Sequence, residues 1–155
     1  MLFRSFTTVD GFALDTISVT RAFPLDEDEM RRGARMARTI EQALRGEIKV
    51  SELVKQAHSG RDARVGAFRI PPAVSIDNAM SHRYTVLEVE GLDRPGLLYE
   101  LTAALSRLNL NIGSAHIVTF GEKAVDSFYV TDLTGAKITS PSRQAAIKRH
   151  LLAIF

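Results

Sequence analysis

Residues 92–98, L-D-R-P-G-L-L, constrain this chain more than any other stretch. An apolar run of β type, Thr85–Val89, enters them. A helical pattern leaves them, with Leu97, Leu98, Leu101, Ala104, Leu105 and Leu108 at a 3.6 period. Pro95 has the fixed φ that suits a first helical turn, and the reading places it there. Asp93 is then expected to cap the helix and to meet its positive end. Gly96 lets a ligand come close to the backbone. A β-branched residue at Gly96 is therefore expected to harm a ligand site more than the fold. Strand, turn and helix N-terminus together predict a small anion site suited to a carboxylate, with the N–H groups of Gly96, Leu97 and Leu98 as donors. Asp93 stands ready for a ligand ammonium or amide.

Composition narrows the classes. The 155 residues suffice for one ordinary domain or two small ones. A hydrophobic share of 45% with 25% charged residues is that of a globular chain. The net charge of +2 does not point to nucleic acid. Residues 1–80 carry 12 basic and 11 acidic side chains and residues 81–155 carry 8 and 7, so no basic tail stands out. There is no cysteine, which excludes disulfides, thiolate catalysis and Cys-bound zinc. No apolar run reaches membrane-helix length, and the start has no signal-peptide core, so a cytoplasmic protein is expected.

The other elements follow from local signals. Phe3–Thr8 and Ala13–Thr20 read as strands joined by an Asp10-Gly11 hairpin turn. Asp26 opens a helix of about 20 residues, with Asp26 and Glu29 at capping-box spacing and Met30, Ala34, Ala37, Ile40 and Leu44 as its apolar stripe. Gly46 stops it. A shorter helix lies within 47–58, with Ser51 as its cap, and 59–69 reads as a loop. Pro71-Pro72 excludes helix, and Val74–Asp77 is a short strand. Asn109–Phe120 is a strand with a bulge near Gly113-Ser114. Ala124–Thr131 is another, with an apparent slip between Val125 and Phe128. Ser140-Pro141 starts the last helix, with Ile147, Leu151 and Ile154 inward.

The chain also resembles itself. Ala13, Asp15, Val19 and Thr20 recur as Ala124, Asp126, Val130 and Thr131, an offset of 111 residues. A helix follows each copy. This implies two βαββαβ modules, the first (1–80) incomplete and lacking its opening strand and helix, the second (81–155) carrying the 92–98 turn. The chain is expected to be the end of a longer protein. Val74–Asp77 is the first module's closing strand and can also pair beside the strand at Tyr84.

The order β-α-β-β-α with D-R-P-G-L-L at the first strand-to-helix turn resembles the ACT domain, a ferredoxin-like regulatory module. The stretch from Tyr84 to Lys137, above all Asn111–Lys137, resembles the last ACT domain of bacterial bifunctional PII uridylyltransferase/uridylyl-removing enzymes. The run T-T-V-D-G-F-A-L-D-T resembles the latter half of their penultimate ACT domain. The resemblance is weakest over 45–70. It implies an α+β fold, with helices on one face of an antiparallel sheet, and a regulatory, glutamine-sensing role. The candidate ligand-binding residues are Asp93, Arg94, Gly96, Leu97, Leu98, Asn111 and Ile112. Asn111 and Ile112 are expected beside the turn, where Asn111 offers a donor and an acceptor to an amide side chain.

No catalytic residue, metal ligand or cofactor is expected. The family's transferase motif, Gly-Ser followed by Asp-x-Asp, is absent: Asp26-Glu27-Asp28 has no Gly-Ser suitably upstream. None of His58, His82, His116 and His150 is followed by Asp, so the HD-type metal site is absent too. The expected partners are a small amino acid, the catalytic domains of the parent enzyme, and a second copy. The homodimer is expected because residues 1–46 hold a strand with no internal strand to complete its sheet. The rival reading is an ACT-type protein-interaction module without ligand. A nucleic-acid-binding ferredoxin-like domain would need an aromatic pair flanked by basic residues on its strands, and none is apparent. Asp15 and Asp126 are assigned to strand-turn geometry or subunit contact.

Overall fold

A computed structural model describes residues 3–9, 12–18, 21–58 and 70–155. The elements run β1 (Phe3–Val9), β2 (Phe12–Ser18), α1 (Asp26–Leu44), α2 (Val50–His58), β3 (Ala73–Asp77), β4 (Thr85–Leu92), α3 (Leu97–Arg107), β5 (Leu110–Phe120), β6 (Lys123–Asp132) and α4 (Pro141–Leu152). The expected loop at 59–69 and the Asp10-Gly11 turn lie outside the described residues. The strands flanking that turn do pair, with Val9 opposite Phe12.

The strands form one six-stranded sheet in the order β2-β1-β5-β6-β4-β3. Every pairing is antiparallel. Four of these strands, β3-β4-β6-β5, form the ferredoxin-like sheet, with β3 hairpinned onto β4. The remaining hairpin lies against β5, with Phe3–Thr7 opposite Val118–Ser114. The hairpin thus joins a sheet of its own chain through β1, not through the Ala13–Thr20 strand that was expected to lack a partner. β2, expected in the middle of a sheet, is instead its edge.

Helices α3 and α4 cover one face. From α3, Leu97, Leu101, Ala104 and Leu105 are buried; from α4, Ile147 and Leu151. They meet Leu87, Val89, Ala115, Ile117, Phe128 and Val130 of the strands in one apolar cluster. The 3.6 period of one element and the alternation of the others supply matching faces. Asn109, with φ of 55°, ends α3 in the left-handed region, so β5 begins at Leu110. The bulge falls where expected, between Ile112 and Ser114. A Cβ on Gly113 would stand 2.4 Å from the Tyr84 ring, so any other residue there would have to displace that ring. Ser140 accepts from the Arg143 N–H at the start of α4, with Pro141 in its first turn.

Helix α1 spans the expected residues but is capped differently. Leu25 is its N-cap and no side chain caps it. Glu29 instead reaches back to the backbone N–H groups of Ala22 (2.5 Å) and Phe23 (2.6 Å). The Phe23 bond chiefly holds its carboxyl below the usual range. Ser51 likewise sits inside α2 rather than capping it. The α1 stripe is legible yet uncovered: Met30 is 75% and Leu44 84% exposed.

Candidate functional site

The turn before α3 is built by four consecutive residues. The Leu97 N–H donates to the Arg94 carbonyl at 3.1 Å. Gly96 has φ 82° and ψ −6°. These are the marks of a type II β-turn, with Pro95 at its second position and Gly96 at its third. Gly96 is the N-cap of α3, and no side chain caps that helix. Pro95 therefore lies before the helix rather than in its first turn, and Asp93 is not its cap. A Pro-Gly pair is itself a turn signal, and here it outweighs the preference of proline for the first helical position.

Asp93 is tied to the β5–β6 hairpin. Its N–H donates to the Glu122 carbonyl at 2.8 Å, and its Oδ2 accepts from the Thr119 hydroxyl at 3.2 Å. Arg94 points the other way. Its guanidinium grips Glu100 with two bonds, at 2.9 and 2.7 Å, and donates to the Ile154 carbonyl at 2.8 Å. Glu100 raises the pKa of Arg94 further. Arg94 thus clamps the turn to α3 and to the chain's last residues. Leu97 is buried, and Leu98 packs against the core.

Asn111 and Ile112 are not beside this turn within one chain. Asn111 lies opposite Thr131 at the start of β5, whereas Asp93 contacts Thr119 near the strand's end. Eight residues of extended chain separate Asn111 from Thr119, about 25 Å at about 3.3 Å each. Asn111 donates to the Asp132 carbonyl at 3.3 Å.

A residue not among the candidates joins Asp93 instead. On β6, Ala124, Asp126, Phe128 and Val130 are all buried, so the alternation has no slip. Asp126 occupies a core position, 3% exposed, between Val89 of β4 and Ile117 of β5. Its Oδ1 is buried and has no hydrogen-bond partner among the described residues. Burial first, and then the charge of Asp93, push the carboxyl up to about 7, while the Val118 N–H pulls the other way. The sequence signal was the unbroken Ala-x-Asp-x-Phe-x-Val spacing with one acidic member.

His116 stands on the opposite face. It meets Tyr129 edge-on at 5.8 Å, and Tyr129 meets Tyr84 at 6.4 Å. Among the described residues no group of three or more His, Asp or Glu is placed to hold a metal ion. Among them too, no helix is long and apolar enough to cross a membrane. A shallow recess of about 330 Å³ lies at the β5–β6 turn, lined by Ile70, Phe120, Gly121, Glu122 and Lys123.

Strand order, helix placement and the strand–turn–helix at 92–98 are those of a ferredoxin-like fold, and residues 85–146 match the ACT domain family. Over 152 residues, 96% of this chain, the chain is 60% identical to the bifunctional uridylyltransferase/uridylyl-removing enzyme of Rhodopseudomonas palustris, covering 16% of that protein. Similar matches are to the enzymes of the same description from Nitrobacter winogradskyi, 56% identical over 96% of this chain and 16% of the relative, and Bradyrhizobium sp. strain ORS 278, 57% identical over 95% and 16%. The chain therefore spans 16% of the length of these relatives. No solved structure matches it.

Proposed function

We propose that this chain is the amino-acid-sensing region of a bifunctional PII uridylyltransferase/uridylyl-removing enzyme in nitrogen regulation, and that glutamine is its ligand. The observation that carries the reading is the 93–98 turn. Two backbone bonds and the Arg94 clamp hold it in place, and its Asp93 carboxylate accepts from the Thr119 hydroxyl. A preset turn with an acceptor of this kind recognises a small zwitterion at little ordering cost. The similarity to the uridylyltransferase enzymes gives the sensed signal its context. Ligand binding would bias how modules pack, and through them the catalytic domains.

Calorimetry of the 155-residue chain with L-glutamine tests this. Wild type is expected to bind, and Asp93→Ala to bind roughly tenfold or more weakly, since one charge-assisted hydrogen bond is worth about 1.5–3 kcal/mol. Equal affinity in a folded Asp93→Ala variant removes the site assignment. No binding by wild type favours the interaction-module reading.

The module boundary near residue 80 belongs to the same proposal, with β3 lent to the second module's sheet. So does a symmetric homodimer. β2 is an edge strand, and α1 exposes Met30, Ile40 and Leu44. A site that used both Asp93 and Asn111 would draw them from two chains, because one chain holds them at opposite ends of its sheet. Light scattering after size exclusion is expected to give a mass near twice 17.1 kDa. A stable monomer at micromolar concentration would leave the edge and the α1 stripe uncovered and would count against the dimer.

A further inference from the structure

Asp126 places a buried carboxylate oxygen without a hydrogen-bond partner among the described residues in this core. A buried carboxylate oxygen without a partner is destabilising, and a second carboxylate nearby makes it worse. Its strand neighbours on this face are the apolar Val89 and Ile117, and the Val118 N–H bonds to its carboxyl. The register shows what lies between Asp126 and Asp93. Toward the turn, the next row of this face is Gly91, Ala124 and Thr119. All three are small, and Thr119 is the residue that donates to Asp93. Only this row of small side chains separates the turn from Asp126 along the sheet face. Above Gly91 lies the Phe155 ring, so near that a Cβ on Gly91 would stand 2.2 Å from it. Phe155 is itself 38% exposed.

We propose that Asp93 and Asp126 form a two-carboxylate seat for the ammonium group of the sensed amino acid, with Asp126 its inner contact. This rests on the ligand-binding reading of the turn. An ammonium brings three donors and one positive charge. It would supply the partner that Asp126 Oδ1 lacks and would relieve the repulsion between the two acids. The seat therefore selects ligands bearing a free amine and rejects analogues without one, because a site built around unpaired polar groups discriminates strongly.

The experiment compares L-glutamine with 4-carbamoylbutyrate, the same molecule without its amine, by calorimetry at about pH 8, where Asp126 is ionised. Wild type, Asp126→Asn and Asp93→Ala are each titrated as the full 155-residue chain. Asp126→Asn is expected to weaken glutamine roughly tenfold or more. The amine-free analogue is expected to bind wild type weakly and to lose nothing further in Asp126→Asn. If Asp93→Ala loses glutamine while Asp126→Asn binds it as wild type does, the turn is the site and the seat is wrong. If wild type binds the analogue as tightly as glutamine, the seat is likewise wrong. If wild type binds neither, or neither substitution matters, the ligand reading of the turn falls and takes the seat with it. Circular dichroism of Asp126→Asn separates lost binding from lost fold.

Discussion

Asp126→Asn is expected to make the protein more stable above pH 7, with the advantage fading as the pH falls toward 4. The folded-state carboxyl is raised to about 7 from the ordinary 3.8. The folded protein therefore holds the proton more tightly than the unfolded chain does. Stability is fully present below the unfolded value, falls as pH rises from about 4, and levels off above about 7. The full span corresponds to on the order of 4 kcal/mol, with relaxation of the site reducing it. The asparagine carries no titrating proton, so its stability should lack this slope. Its amide must still find partners, which costs about 1–3 kcal/mol if it fails. The slope of the difference between the two proteins, taken from urea melts across pH 4–8.5, is thus the decisive reading. Parallel curves would mean that Asp126 titrates normally. Glu29 and Asp132, both held below their ordinary values, act in the opposite sense at lower pH. They are common to both proteins and cancel. If the variant is more stable and also blind to amine-bearing ligands, the wild type keeps a destabilising acid for a function.

Much of the fold could be read from local pattern. The α3 stripe, the Gly113 bulge and the Ser140-Pro141 start each rest on interactions within a few residues, and each appears where the pattern puts it. The strand order also follows once Ala73–Asp77 hairpins onto β4. What escaped was set by longer-range packing. The stripe of α1 is plain in the sequence, but whether anything covers it is a tertiary matter. The pairing of β1 with β5 joins residues more than a hundred apart, and no local signal announces it.

The strand and helix on either side of the candidate site were legible in the sequence, but the contacts of its side chains were not. Within the 92–98 stretch, Asp93 bonds to Thr119 rather than to the helix end. Arg94 is a ligand candidate by its place in the motif, and no local signal announces that its donors serve Glu100 and Ile154. From sequence Asp126 reads as strand-turn geometry or a subunit contact, because an acid among apolar positions looks like a break in alternation. In the structure it is a full member of the buried row. Asn111 was placed by the order of elements, and only the eleven-residue length of β5 shows how far that strand carries it from the turn.

Gly96→Val is expected to damage the fold as well as the site, contrary to what its place near a helix start suggests. The reason is backbone geometry. At φ 82° the residue lies in the left-handed region, which β-branched side chains avoid most strongly. The strain costs about 1–3 kcal/mol, or the turn must change type. A changed turn would move the Leu97 N–H off the Arg94 carbonyl. It would also swing Arg94 away from Glu100 and Ile154, so that the end of the chain loosens with it. Thermal melts of Gly96→Val, Gly96→Ala and Gly96→Asn separate strain from bulk. Asparagine tolerates the left-handed region best of the three and should unfold closest to wild type, although it is larger than alanine. Valine should unfold lowest. If the midpoints instead follow side-chain size, with alanine best and asparagine near valine, space and not φ limits this position. The type II turn would then not be what holds Asp93 in its place.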